Sequence, residues 1–148
     1  MVDEGFFERS DRIQPAYIEP KVIDEETWDF EEESLSLIIN NLTLHWVNNL
    51  EQTFKNFNKS LESNGVYLGT LFGDDTLQEL RITFNLAEAE REGGYSPTTS
   101  PMISMTDIGN TFAKCNFKLP TIDRTIIQME FQTMYHLIDY LRFNGDIN

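Results

Sequence analysis

Residues 35–72 read LSLIINNLTLHWVNNLEQTFKNFNKSLESNGVYLGTLF, and this stretch decides the fold. It opens with a short apolar run at Leu35–Ile39 and ends with a second run at Val66–Phe72. Runs of this length are typical of strands that are buried on both faces of a sheet. We therefore predict two buried strands here.

The segment between the two runs has the pattern of an amphipathic helix, with apolar residues every three or four positions. We expect Asn48 to cap its start and Asn64-Gly65 to end it with a left-handed residue. A strand, a helix and a second strand joined by short loops make a βαβ unit, whose crossover is right-handed. The residues that define the apolar face are Leu50, Phe54, Phe57 and Leu61.

Three more helices are predicted beyond Phe72. The first starts at Asp75 or Thr76, either of which can cap it, and runs to about Arg91. The second covers Asp107–Lys114 behind a Thr106 cap. The third covers Gln132–Phe143 and is stopped by Gly145.

A hairpin is predicted between the last two of these helices. Its strands are Asn116–Ile122 and Thr125–Phe131, and Asp123-Arg124 forms the tight turn between them. Residues 1–20 have no periodicity and form an irregular lead-in, so residues 21–148 carry the domain. Because parallel strands need neighbours and covered faces, the chain resembles the second half of a larger α/β domain.

Composition excludes several classes of function. The chain has 148 residues, of which 40% are hydrophobic and 12% aromatic, enough to build a core. It has 25 Asp and Glu against 11 Lys and Arg, a formal charge of −14. Nucleic acids and anionic membranes are bound through clustered cations, so neither is an expected partner.

The reactive side chains are few. One cysteine, Cys115, excludes an intramolecular disulfide and a zinc site made of several cysteines, and we expect its thiol to be half-buried near a helix end. The two histidines, His45 and His136, have no sequence neighbours that complete a triad or a metal site. No apolar window reaches the ~18 residues of a membrane span, and the acidic N-terminus has no presequence character.

Several stretches resemble a known fold and family. The segments NLTLHWVN at Asn41–Asn48 and NGVYLGTLFG at Asn64–Gly73 resemble the back half of a class I S-adenosylmethionine-dependent methyltransferase. More specifically, GDDTLQELR at Gly73–Arg81 and LAEAEREGGYSP at Leu86–Pro97, followed by Ser100-Pro101, resemble the mitochondrial complex I assembly factors of this fold. The resemblance covers most of the chain after the lead-in.

The resemblance implies a fold and a function. The fold is α/β, a partial class I methyltransferase (Rossmann-like) fold comprising strands four to seven with an antiparallel terminal hairpin. Members of the family hydroxylate an arginine in a core subunit of complex I, on the matrix side of the inner mitochondrial membrane. The implied partners are that subunit or other assembly factors, with peripheral contact with the membrane. A related family methylates malonyl-[acyl-carrier protein].

The chain departs from the family in its cofactor-binding part. The first strand of the fold ends in a glycine-rich turn that lets the backbone approach the methionine part of the cofactor. None of the eight glycines here lies in such a turn, and strands one to three have no counterpart. We therefore expect S-adenosylmethionine to bind only when the missing N-terminal half is supplied.

Five residues are implied for the cofactor. By resemblance, Asp24 accepts the adenine amino group with Glu25 beside it, although both also fit a solvated acidic run. Asn41 and Leu42 lie at the carboxyl end of a central strand, where open α/β sheets place ligands. Trp46 packs over the cofactor or lines the substrate pocket, unless it belongs to the core.

A second set is implied for the substrate. By resemblance, the helix after the second strand roofs the substrate, and an acidic face there suits a guanidinium. The alternative is a solvated helix with local ion pairs. No residue is assigned a catalytic role, and no metal site is assigned, because the His-x-Asp of an iron hydroxylase is absent. The substrate set is Asp74, Asp75, Arg81, Glu88 and Arg91.

Two alternative functions stay open at this point. One is an O-methyltransferase acting on a carrier protein or a small carboxylic acid, which would favour a basic helix face for docking. The other is a non-catalytic interaction protein, which would bind no cofactor and would still associate with a complex I subunit or an assembly factor.

Overall fold

The computed structural model describes residues 17–94 and 102–145, which leaves most of the predicted lead-in outside the described residues. Within these two ranges, two strands and four helices follow one another, with single 3-10 turns at Glu25–Thr27 and Leu44–Trp46. The elements are β1 (Leu35–Asn41), α1 (Leu50–Ser60), β2 (Leu61–Thr70), α2 (Gln78–Arg91), α3 (Met105–Lys114) and α4 (Met134–Asn144).

The predicted strand–helix–strand unit is confirmed. β1 and β2 pair in parallel, with Ile38 opposite Tyr67 and Ile39 opposite Leu68. The two strands are joined by α1, as parallel neighbours require. The carboxyl ends of both strands therefore lie at the same edge of the sheet.

The predicted ends of α1 were wrong. Asn49, not Asn48, caps the helix, because its side chain accepts a hydrogen bond from the Gln52 amide at 3.0 Å. The helix ends at Ser60 and β2 follows directly, so Asn64-Gly65 lies within the strand. A Cβ on Gly65 would lie 3.0 Å from the carbonyl oxygen of Leu35, which shows that this glycine serves a close approach of backbones.

One face of the sheet packs on an aromatic core. Tyr67 lies 5.5 Å from Phe54 and 5.7 Å from Phe57 of α1, measured between ring centroids. Phe112 of α3 lies 4.8 Å from Phe54, and Phe117 closes the cluster. Such ring pairs add to the free energy gained by removing their surface from water. This cluster is the centre of the core.

The single thiol lies at the edge of this core. Cys115 follows the last residue of α3 and is fully buried, where half-burial was expected. Its Sγ donates to the carbonyl oxygen of Glu51 at 3.3 Å. Burial raises the pKa of the Cys115 thiol, with a smaller contribution from the Glu51 carboxylate.

The acidic segment before β1 is fastened to the core by an aromatic residue. Trp28 donates from Nε1 to Oγ of Ser60 at 2.9 Å, and its ring lies edge-on to Phe57 at 4.6 Å. The segment thus packs against the carboxyl end of α1, whereas the acids of the first 3-10 turn contact the loop after β1.

The predicted antiparallel hairpin was wrong. Residues 116–131 contain no strand, so the described residues form two parallel strands and not the four expected. Asn116 and Leu119 have positive φ angles of 62° and 54°, and Pro120 lacks an amide donor, so the first of the predicted strands cannot form a ladder. The second has no partner, and Ile126 and Ile127 remain exposed.

Three helix starts also differ from prediction. Asp75 and Thr76 take part in turns and α2 begins after them, behind Leu77 in a left-handed conformation. α3 is capped by Ser104 instead of Thr106, and α4 by Thr133. The ends at Arg91, Lys114 and Gly145 agree with the sequence analysis, and Gly145 has a φ of 77°.

Candidate functional site

Polar side chains meet where β1 and β2 end. The hydroxyl of Thr70 donates to Oδ1 of Asn41 at 2.5 Å, and the amide of Leu42 donates to the carbonyl oxygen of Thr70 at 2.9 Å. Leu42 has a φ of 53°, which turns the chain sharply after the strand. Two of the predicted cofactor residues, Asn41 and Leu42, are thereby held at the carboxyl edge of the sheet.

A hydrogen-bonded relay joins this edge to the acidic turn. Nδ2 of Asn40 donates to Oγ1 of Thr43 at 2.7 Å, and Oγ1 of Thr43 donates to Oε1 of Glu25 at 2.8 Å. The Oδ1 atom of Asn40 is buried and accepts no hydrogen bond from the described residues. Leaving a buried amide oxygen without a donor has a free-energy cost.

The neighbouring acids have local roles. Oδ1 of Asp24 accepts from the Glu26 amide at 2.9 Å, which closes the first 3-10 turn. The carboxylate of Glu26 accepts from the backbone and side-chain amides of Asn48 at 2.5 and 2.9 Å. Asp24, which was predicted to accept the adenine amine, is thus engaged within its own turn, and its neighbour Glu25 is the acid hydrogen-bonded to the loop after β1.

Three aromatic rings lie together beside the carboxyl ends of β1 and β2. His45 is buried, with its ring centroid 4.8 Å from that of Phe72 and 5.1 Å from that of Trp46. Trp46 itself is 47% exposed, so it is not a core residue and offers a ring surface beside the strand ends. Such a surface can stack against a planar base.

Three of the predicted substrate residues lie together after β2. Nη1 of Arg81 donates to the carbonyl oxygen of Asp74 at 2.8 Å. The carboxylate of Asp75 forms an ion pair with Arg124, in which both side chains are about half exposed. The sequence offered no signal for this contact, because Arg124 was expected in a hairpin turn.

The other two substrate residues are farther along α2. Glu88 and Arg91 follow Arg81 by seven and ten residues, or ~10 and ~15 Å along the helix axis. α2 has no buried residue within its described length; Glu88 is partly exposed and Arg91 is exposed. The structure does not gather these two side chains with Asp74 and Asp75.

Neither a metal cluster nor a membrane span occurs in the described ranges. Within residues 17–94 and 102–145, no three His, Cys, Asp or Glu side chains are grouped to hold a metal ion. None of the helices that the structure describes is long and apolar enough to cross a bilayer.

Comparisons with known proteins confirm the resemblance. The family described as methyltransferase domain matches residues 7–69. The arginine-hydroxylase NDUFAF5, mitochondrial, of Dictyostelium discoideum is 42% identical over 93% of this chain and 31% of its own length. Its namesake in Homo sapiens is 39% identical over 84% of the chain and 36% of its own length.

A second group of relatives has a different named activity. The malonyl-[acyl-carrier protein] O-methyltransferase of Xylella fastidiosa is 33% identical over 84% of the chain and 40% of its own length. The chain thus spans about a third of the length of the curated relatives it matches. Its homologues include proteins named mitochondrial arginine hydroxylases and methyltransferases.

Proposed function

We propose that this chain supplies the adenosine side of an S-adenosylmethionine site and an arginine-binding surface to a mitochondrial protein of complex I assembly. The observation that carries the proposal is the relay from Asn40 through Thr43 to Glu25 at the carboxyl end of β1. It lies in a chain that is 39–42% identical to proteins named arginine hydroxylases.

The carboxylate and the aromatic ring at this edge fit an adenine ring. Glu25 uses Oε1 for Thr43, which leaves Oε2 to accept from an exocyclic amine. Trp46 offers an exposed ring for stacking. When bound to methyltransferases, the cofactor supplies an electrophilic methyl group; the residues here bind and orient its adenosine end.

The substrate side is proposed at the loop after β2. Asp75 already holds a guanidinium, that of Arg124, which shows that its carboxylate is accessible to such a group. Carboxylates suit the planar, multi-donor fork of arginine. We place the substrate arginine at Asp75, with Asp74 and Arg81 shaping the loop beside it.

An adenosine titration tests the cofactor half of the proposal. The chain, labelled with ¹⁵N and combined with the part of the Dictyostelium relative that has no counterpart in it, is titrated with adenosine while the amide signals of Thr43 and Trp46 are followed. We expect shifts localised to the relay, and a Thr43→Val variant that binds more weakly. Thr83→Val, a similar change on the exposed part of α2, should leave binding unchanged. Unshifted signals at millimolar adenosine would refute the assignment.

The carrier-protein methyltransferase is a second candidate because of the Xylella relative. Docking an acidic carrier requires available cations, and two lysines of α1 are already paired: Lys55 with Glu51 and Lys59 with Glu32. The net charge of −14 also opposes an acidic partner. Binding of a malonyl-loaded carrier protein, in preference to an arginine peptide, would favour this candidate.

The non-catalytic alternative makes a different prediction. It requires that the chain associate with complex I assembly intermediates without binding a nucleoside. Affinity purification of the tagged chain from mitochondria, followed by native electrophoresis, measures that association directly. Association together with the adenosine shifts supports the proposed function, whereas association without them supports an interaction protein. A location of the native protein outside mitochondria would contradict both.

A further inference from the structure

The last pair of residues in the two parallel strands joins two polar side chains. Asn41 lies opposite Thr70, and the hydroxyl of Thr70 donates to Oδ1 of Asn41 at 2.5 Å. Both residues are exposed at the carboxyl edge of the sheet. Because one partner comes from each strand, the geometry of this pair is set by the register of β1 against β2.

This hydrogen bond decides which end of the Asn41 amide faces away from the sheet. A side-chain amide has an acceptor oxygen at one end and two N–H donors at the other. Since the Thr70 hydroxyl holds Oδ1 toward β2, the Nδ2 end turns away from that strand. Asn41 therefore offers hydrogen-bond donors at an edge whose other candidate residues include the carboxylates of Glu25, Asp74 and Asp75, which only accept.

Asn41 does not face the relay that we propose for adenosine. Successive side chains of a strand point to opposite faces of the sheet. Asn40 is the strand residue that enters the relay, through its bond to Thr43, so Asn41 lies on the opposite face, beside Thr70. From Thr70 the chain reaches Asp75, where we place the substrate arginine, within five residues. The pair thus belongs to the substrate side of the edge.

We propose that Asn41 donates from Nδ2 to a main-chain carbonyl oxygen of the substrate polypeptide, beside the arginine that Asp75 binds, and that Thr70 positions Asn41 for this contact. The inference rests on the proposed function, because it requires the arginine at Asp75. It assigns Asn41 to the substrate, where the resemblance implied the cofactor. It also defines the substrate class as an arginine within a polypeptide, since a guanidinium alone offers no carbonyl acceptor.

The two contacts are compatible in distance. Five residues separate Thr70 from Asp75, so their Cα atoms lie at most about 18 Å apart. The turn in which the amide of Thr76 donates to the carbonyl oxygen of Gly73 shortens this separation. An extended arginine side chain, together with the side chains of Asp75 and Asn41 that hold its two ends, can span such a gap.

A purely structural pair would behave differently. If the Thr70 hydroxyl only joined the strand ends, its loss would lower the free energy of unfolding and would affect every ligand of the edge alike. A positioning role predicts instead that its loss affects only ligands that carry a carbonyl acceptor. The selectivity between two guanidinium ligands therefore distinguishes the two roles.

A pair of ligands tests the proposal. N-acetyl-arginine amide carries a guanidinium and main-chain carbonyl groups, whereas ethylguanidine carries the guanidinium alone. Each is titrated by NMR into the chain combined with the part of the Dictyostelium relative that has no counterpart in it. We expect Thr70→Val and Asn41→Ala each to weaken the binding of N-acetyl-arginine amide roughly two- to tenfold, as the loss of one neutral hydrogen bond predicts, and to leave ethylguanidine unchanged.

Two further variants serve as controls. Thr70→Ser keeps the hydroxyl and should bind both ligands like the unaltered chain. Thr83→Val removes a hydroxyl that donates to a backbone carbonyl oxygen within α2, so it matches Thr70→Val in chemistry and should change neither affinity. Urea denaturation of each variant establishes that the substitution has not unfolded the chain.

The other outcomes overturn the proposal in distinguishable ways. If Thr70→Val weakens both ligands equally, Thr70 acts on the edge as a whole and does not position a donor. If Thr70→Val and Asn41→Ala change neither affinity while Asp75→Asn abolishes both, the arginine site is retained and Asn41 has no part in it. If neither ligand binds to the unaltered chain, the arginine site of the proposed function is wrong, and this inference is wrong with it.

Discussion

Asp75 and Arg124 are 49 residues apart in the sequence, yet the carboxylate of the first holds the guanidinium of the second. The pair ties the extended segment after α3 to the loop after β2. Asp75 is also the residue at which we place the substrate arginine. The chain therefore fills its proposed arginine site with an arginine of its own, and an incoming guanidinium has to displace Arg124.

Replacing Arg124 should improve arginine binding. Exposed ion pairs are worth about 0.2–1 kcal/mol, so Arg124→Gln should raise the affinity for N-acetyl-arginine amide by roughly 1.5- to 5-fold. The measurement is an NMR titration that follows the amides of Asp74 and Asp75. Lys118→Gln removes one positive charge from the same segment and should change little.

A variant of the other member of the ion pair, Asp75, distinguishes arginine binding at Asp75 from competition by Arg124. Asp75→Asn removes the carboxylate and should abolish arginine binding, whether or not Arg124 is present. If Asp75→Asn binds like the unaltered chain, the substrate arginine does not use this residue. If Asp75→Asn does not bind arginine and Arg124→Gln binds it no more tightly than the unaltered chain, Asp75 binds the substrate arginine and Arg124 does not compete for that position.

The aromatic core should dominate stability. Phe57 is fully buried between Trp28 and Tyr67, so Phe57→Ala should cost about 3–5 kcal/mol in the free energy of unfolding. Phe143 is 90% exposed, and Phe143→Ala should stay within about 0.5 kcal/mol. Urea denaturation followed by tryptophan fluorescence measures both. Equal effects of the two variants would contradict the described core.

The close approach at Gly65 gives a further test. A Cβ there would lie 3.0 Å from Cδ2 of Leu61 as well as from the Leu35 carbonyl oxygen, so Gly65→Ala should destabilise the chain by about 1–3 kcal/mol. Gly73 has no atom within 4 Å of such a Cβ. Gly73→Ala should therefore be close to neutral. A neutral Gly65→Ala would mean that the backbones of β1 and β2 separate easily.

The parts of the fold that were predictable rest on local patterns. The βαβ unit follows from two apolar runs and from the spacing of Phe54 and Phe57, which depends only on helix and strand periodicity. Asn64-Gly65 misled the prediction, because a glycine that ends a helix and one that admits a neighbouring backbone look alike in sequence. The hairpin failed because strand formation depends on a partner that local pattern does not supply.

In the candidate site, too, some features follow from local sequence patterns and others depend on how distant elements pack. Asn41 and Leu42 could be placed at the carboxyl end of a strand from the apolar run before them. The contact of Glu25 with Thr43 spans 18 residues, and that of Asp75 with Arg124 spans 49. Contacts of this length arise from how elements pack. The resemblance to a family pointed to Glu25 and Asp75, and nothing in the sequence pointed to their partners Thr43 and Arg124.

The buried thiol gives a pH dependence of known sign. Burial raises the pKa of Cys115 above its unfolded value of about 8.5, so the folded chain keeps the proton at a pH where the unfolded chain loses it. The contribution of the protonated thiol to the free energy of unfolding is fully present below the unfolded pKa of about 8.5. It is lost as the pH rises from there toward the folded pKa, by at most ~1.4 kcal/mol per pH unit. Urea denaturation at pH 7, 8, 9 and 10 should show a steeper loss for the unaltered chain than for Cys115→Ala, which cannot ionise there. Parallel profiles would mean that solvent reaches the thiol in the folded chain.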